Sequence, residues 1–184
     1  LPTWRNPLPG WGKIQSSYAF YSDDGGENWV QGEEMTTNAS DECEAVELEN
    51  GLIYMTMRSR QNKKQRAYSY SKDQGHTWTP VEYDPNLPES SCQGSIIRFD
   101  TEKILLCHPS DQTKRAELTV RLSNDNCRTW QINKIIEQGG SAYSDLAVTQ
   151  TKQILCLYEK REEDVNTDER HIVLASFKID WVEK

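Results

Sequence analysis

One short polar turn ending in tryptophan recurs along this chain. Ser22-x-Asp24-x-Gly26-x-x-Trp29 and Ser71-x-Asp73-x-Gly75-x-x-Trp78 agree at all four fixed positions. Ser123-x-Asp125-x-Cys127-x-x-Trp130 agrees at three, with cysteine where the others have glycine. The serines are 49 and then 52 residues apart. Serine and aspartate side chains bond nearby backbone N–H groups and hold a compact hairpin turn without outside help. Glycine supplies a positive φ that a Cβ would penalise. The tryptophan is expected to open the next strand and fold its ring over the turn, burying a large apolar area. Cys127 predicts a distorted third copy. These turns are structural staples and take no catalytic role.

Between the turns the chain alternates. "SYAFYS", "LIYMTMRS", "RAYSYS", "SIIRFD", "KILLCHP", "ELTVRLS", "ILCLYEK" and "IVLASFKID" read as strands, and helical periodicity is almost absent. An all-β chain that repeats every 40 to 50 residues is expected to build propeller blades, each a four-stranded sheet. The 184 residues then supply between three and four blades. Residues 1–16, with Trp4, Trp11 and several prolines, read as a loop or linker ahead of propeller sequence at 17–184.

Composition narrows the partners. A net charge of -8 argues against nucleic acid, since phosphate binding needs a basic face. The basic run "RSRQNKKQR" at 58–66 reads as a solvated loop between strands, with a local anion site as the minority reading. No apolar run approaches the roughly 20 residues that span a bilayer, and the opening residues lack the apolar h-region of a signal peptide. The cysteines (Cys43, Cys92, Cys107, Cys127, Cys156) are odd in number and lack a C-x-x-C pair. They read as buried free thiols, with one or two disulfides left open, and not as a zinc site. Asn38-Ala39-Ser40 is a glycosylation sequon that leans only slightly towards a secreted or lumenal compartment.

The repeated turn is the Asp-box, and the chain resembles the sialidase (neuraminidase) superfamily. The runs "DECEAVELENGLIYMTMRS", "CQGSIIRF", "HPSDQTKRAELTVRLS", "SAYSDLAV" and "CLYEK" follow that family's order from Ser17 onward. The resemblance implies a six-bladed β-propeller of sialidase type, of which this chain holds a part. It implies retaining exo-α-sialidase chemistry without a cofactor. Arg58 and Arg115 fall where the family places arginines that grip the substrate carboxylate, a task suited to a planar fork that stays charged. Tyr143 in "SAYSDL" matches the nucleophile, delivered by a loop at Gly139-Gly140. Glu42 in "DEC" matches its base, with Glu47 and Glu44 as rivals. A phenol with an ordinary pKa near 10 needs such a carboxylate to take its proton at neutral pH. A neutral nucleophile suits an anomeric carbon that already bears a carboxylate, and sialidases are a known tyrosine exception among glycosidases. Glu159 in "CLYEK" matches a residue that orients an arginine of the triad. Lys114, Arg121 and His108 read as exposed or structural.

The resemblance has gaps. "WRNPL" at 4–8 is a poor echo of the family's first triad arginine, so Arg5 is not assigned to it. Asp23 and Asp24 belong to the turn, which leaves no candidate for the acid/base aspartate. The chain therefore reads as the C-terminal half of a propeller whose N-terminal half is its partner. The expected substrates are sialylated glycoproteins, glycolipids or oligosaccharides. Trans-sialidase transfer would use the same residues, and a non-catalytic Asp-box propeller that binds glycan or protein is the alternative from another class.

Overall fold

The computed structural model describes residues 1–5, 15–35, 40–162 and 169–184. Trp11 and Asn38 of the sequon lie outside the described residues. Three antiparallel sheets follow one another along the chain. The first holds β1 (Pro2–Arg5), β2 (Ser16–Tyr21) and β3 (Val30–Gln31), so part of the stretch expected to be loop is a strand paired with β2. The second has the full blade order of β4 (Ser40–Glu47), β5 (Ile53–Ser59), β6 (Gln65–Ser71) and β7 (Glu82–Pro88).

The third sheet has six strands: β8 (Ser95–Arg98), β9 (Ile104–Pro109), β10 (Ala116–Ser123), β11 (Ile132–Val148), β12 (Ile154–Arg161) and β13 (Arg170–Phe177). The length of β11 explains the size of this sheet. Its first part pairs with β10, from Ile132↔Leu122 to Gly140↔Ala116. Its second part pairs with β12, from Gly140↔Arg161 to Val148↔Ile154. One extended segment is thus the outer strand of the third blade and the inner strand of the fourth. Gly139 and Gly140 are not a loop, as the sequence suggested, but the point where β11 changes partner. A Cβ at Gly140 would sit 3.0 Å from the Arg161 carbonyl oxygen, so only glycine lets the two backbones approach this closely. The single-turn helix α1 (Ile179–Val182) closes the described chain.

Alternation along the strands places the core between successive sheets. On β5, Tyr54 points to the third sheet, while Met55 and Met57 point to the first. On β9, Ile104 and Leu106 face the second sheet, while Leu105 and Cys107 pack towards β12. Strands buried on both faces need apolar residues at consecutive positions, hence the run "ILLC". The five cysteines form no disulfide.

The three Asp-boxes share one hydrogen-bond pattern. The serine hydroxyl accepts from the N–H four residues on, at 2.8 Å in Gly26, 2.8 Å in Gly75 and 3.0 Å in Cys127. The aspartate accepts 2.9 Å bonds from the N–H groups of Asn28, Thr77 and Thr129. The third copy is therefore not distorted. Cys127 adopts φ 61° and keeps the turn intact, at a conformational cost that Gly75 at φ 95° does not incur. The tryptophans differ more than expected. Trp130 is 2% exposed against Tyr54, whereas Trp29 is 53% exposed. At about 25 cal/mol per Å2 and roughly 200 Å2 of ring, burial stabilises by at most about 5 kcal/mol at Trp130 and about half that at Trp29.

Candidate active site

The inner strands of the last three blades, β4, β8 and β11, lie side by side. Each offers an edge with unpaired backbone groups, and polar side chains of the neighbouring blade satisfy them. Glu44 accepts from the Ile96 N–H at 2.9 Å, and Ser95 Oγ accepts from the Leu146 N–H at 3.0 Å. The Glu44 carboxyl is raised above the ordinary range by burial, against which the Ile96 bond works. Glu44 thus ties two blades together, while Glu47 is exposed and bonds Arg98 through its backbone carbonyl. Neither rival base contacts Tyr143.

Glu42 does. It stands near the start of β4, within the register shift between Ser40 and Cys43 that re-aims the strand end. The Tyr143 hydroxyl donates to Glu42 Oε1 in a short bond across 101 residues of sequence. Arg58, from the end of β5, donates through Nη1 to Glu42 Oε2 at 2.7 Å and to the Tyr143 hydroxyl at 3.2 Å. Arg115 precedes β10, and its guanidinium carbon lies 5.6 Å from the centroid of the Tyr143 ring. Four side chains from four strands or strand ends meet at one point.

The electrostatics are specific. The Tyr143 phenol is pushed up to about 12, first by partial burial and then by its hydrogen bond to Glu42 and that carboxylate's charge, with Arg58 and Arg115 pulling the other way. It is therefore protonated throughout the neutral range, and Glu42 is the carboxylate placed to accept its proton. Arg58 is 5% exposed. Burial works against its charge, but Glu42 and Asp41 outweigh that and hold its pKa above the usual value. The Arg115 guanidinium donates from Nη2 to the Ser91 carbonyl at 3.3 Å, and its backbone carbonyl accepts from the Ser141 N–H at 2.9 Å.

Supporting residues had no signal in the sequence. Asp41 is fully buried, accepts from the Glu42 N–H at 2.9 Å, and ion-pairs with Arg60 at 2.5 Å and Arg58 at 3.6 Å. Arg66, at the end of the run read as a solvated loop, is also fully buried. It bonds Glu89 at 3.0 Å, Thr56 at 2.8 Å and the Cys92 carbonyl at 2.8 Å. The partners of Asp41 and Arg66 are remote in sequence, so no local motif announces them.

Glu159 lies on β12 and lines an open cavity of about 320 Å3 with Tyr143, Gln93 and Ile172. On β12 it stands opposite Ile172 of β13. Arg5 ion-pairs with Glu34 on the first sheet at 2.7 Å, outside the cluster. His108 and Arg121 are buried, consistent with structural roles, and Lys114 is exposed. No helix among the described residues is long and apolar enough to cross a membrane.

Comparison with known proteins gives one consistent family. The family described as "BNR repeat-like domain" matches residues 6–156. A sialidase of Micromonospora viridifaciens is 33% identical over 148 residues, which is 76% of this chain and 23% of that protein. Among solved structures, the Hadza microbial sialidase superposes with a TM-score of 0.76 at 23% identity, over 91% of this chain and 33% of its own. The intramolecular trans-sialidase from Ruminococcus gnavus, solved with oseltamivir carboxylate, also has a TM-score of 0.76, at 22% identity over 93% of this chain and 41% of its own. The chain spans about a quarter to two fifths of these proteins.

Proposed function

Because the chain belongs to the BNR repeat-like domain family of the sialidase superfamily, we propose that it carries the nucleophile half of a retaining exo-α-sialidase site. The observation that carries this reading is the Tyr143–Glu42–Arg58 contact, which joins residues from β11, β4 and β5. A tyrosine with a raised pKa, bonded to a carboxylate and flanked by two arginines, has little purpose in a propeller that only binds.

In this reading Arg58 and Arg115 hold the carboxylate of a terminal sialic acid. The Tyr143 oxygen attacks the anomeric carbon while its proton passes to Glu42. The glycosidic C–O bond breaks, and the leaving oxygen takes a proton from an acid on the remainder of the propeller. In the second half, the conjugate base of that acid takes a proton from water as the water oxygen attacks the same carbon, the tyrosyl–carbon bond breaks, and Glu42 returns its proton to Tyr143. The configuration at the anomeric carbon is retained. No cofactor takes part. The same remainder supplies the third arginine, with Glu159 available to orient it. The substrates are sialylated glycoproteins, glycolipids or oligosaccharides, and an acceptor sugar replacing water would give transfer by the same residues.

The test is release of fluorophore from an aryl sialoside by the full-length protein, beside its Tyr143→Phe variant. Turnover lost on removal of one oxygen supports the reading. Equal turnover in both would sink it.

A further inference from the structure

Ser91 sits between β7 and β8 with φ 61°, a backbone conformation that glycine and asparagine adopt readily and serine does not. Its hydroxyl donates to the Ser59 carbonyl at 2.8 Å and accepts from Arg58 Nε at 3.3 Å. Its carbonyl accepts from Arg115 Nη2 at 3.3 Å. One residue thus touches both arginines, which arrive from different sheets and make no hydrogen bond to each other. The strained conformation is fixed from both sides. Glu89 accepts from the Ser59 N–H at 2.8 Å, and Arg66 donates to the Cys92 carbonyl at 2.8 Å. At Gly94 a Cβ would fall 2.8 Å from the Arg66 guanidinium carbon, so the loop lies directly against that buried ion pair.

We propose that Ser91 is a positioning residue that sets the spacing and orientation of the Arg58 and Arg115 guanidiniums for a carboxylate ligand. The proposal rests on the reading of those arginines as carboxylate ligands. Two planar forks act together on one carboxylate only when both are held in register, and errors near 1 Å are costly in such sites. Backbone strain retained beside a cluster of functional side chains fits that role.

The test uses the full-length protein with Ser91→Gly and Ser91→Asn. Glycine relieves the strain and removes the hydroxyl. Asparagine tolerates the same φ and returns an oxygen that accepts from Arg58. Inhibition constants are measured for a sialic acid analogue and for its methyl ester, alongside KM, kcat and Tm. Ser91→Gly keeps or raises Tm, yet weakens the carboxylate analogue roughly five- to tenfold while leaving the ester nearly unchanged. The loss falls more on KM than on kcat, and Ser91→Asn recovers part of it. Equal weakening of both ligands, or none in the glycine variant, would overturn the proposal and leave the sialidase reading standing. A parent protein that neither turns over sialosides nor binds the analogue would overturn the functional reading and this inference together.

Discussion

Glu42→Gln isolates the proton-transfer step with little change of shape. In the folded protein Glu42 accepts from the Tyr143 hydroxyl and, at 2.7 Å, from Arg58. A glutamine keeps an oxygen for Arg58 but cannot take the phenolic proton. Loss of a positioned general base costs about 100- to 10,000-fold, or roughly 3 to 5 kcal/mol of barrier. The charge on Arg58 is not stranded, because Asp41 remains 3.6 Å from its Nε. The stability loss is therefore about 1 to 2 kcal/mol, short of the 3 to 5 kcal/mol typical when a buried pair is broken outright. The pH profile carries a sharper signature. Removing the Glu42 charge takes away one of the causes that raise Tyr143, while Arg58 and Arg115 still favour the phenolate. The variant should regain turnover on the alkaline side, as the phenol ionises without help. Initial rates on an aryl sialoside from pH 5 to 10 measure both effects, with Glu47→Gln as a control that leaves the rate unchanged. A Glu42→Gln enzyme within tenfold of the parent at pH 7, with no alkaline rise, would refute this reasoning and redirect the search for the base.

Other consequences are cheaper to check. Arg66→Met leaves Glu89 buried without its partner and should cost about 3 to 5 kcal/mol, while adding Glu89→Gln should recover much of it; urea titration of both variants reads the difference. Gly75→Ala places a Cβ at φ 95° and should cost about 1 to 2 kcal/mol, whereas Gly139→Ala, with no such φ, should stay within about 1 kcal/mol. Asp24 and Asp73 are each held at about 2 by turn hydrogen bonds, led by the Asn28 N–H at Asp24 and the Thr77 hydroxyl at Asp73. Their contribution is complete above an ordinary aspartate pKa near 4 and is lost as pH falls towards 2. An Asp73→Asn protein should therefore show a flatter loss of Tm between pH 4 and 2 than its parent.

The blade repeat was legible because its signal is local. Serine, aspartate, glycine and tryptophan within eight positions specify the turn, and alternation specifies the strands on either side. Glu42, Arg58, Arg115 and Tyr143 stood out through order and resemblance, and the fold brings them together. What stayed hidden depends on partners far along the chain. Arg66 ends a basic run that looks solvated, and Asp41 looks like an ordinary acid, until Glu89 and Arg60 pair with them in the buried interior. Trp29 and Trp130 occupy identical motif positions, yet the sheet packed against each differs, and with it the burial. The geometry at Cys127 was misjudged because propensity is a penalty rather than a prohibition, and two hydrogen-bonding side chains outweigh it.

The unbroken course of β11 bears on how the protein comes apart. Tyr143 rides on a 17-residue segment whose first part is laddered to β10 and whose second part is laddered to β12. The outer face of the fourth blade carries Leu157, Ile172 and Leu174, an apolar surface suited to packing against a further blade. Fraying of β12 and β13 leaves the neighbouring residues of β11 tethered to a blade packed on both faces. Amide protection should therefore decline outward from β11 to β13, and the strand bearing Tyr143 should be the last part of that blade to exchange.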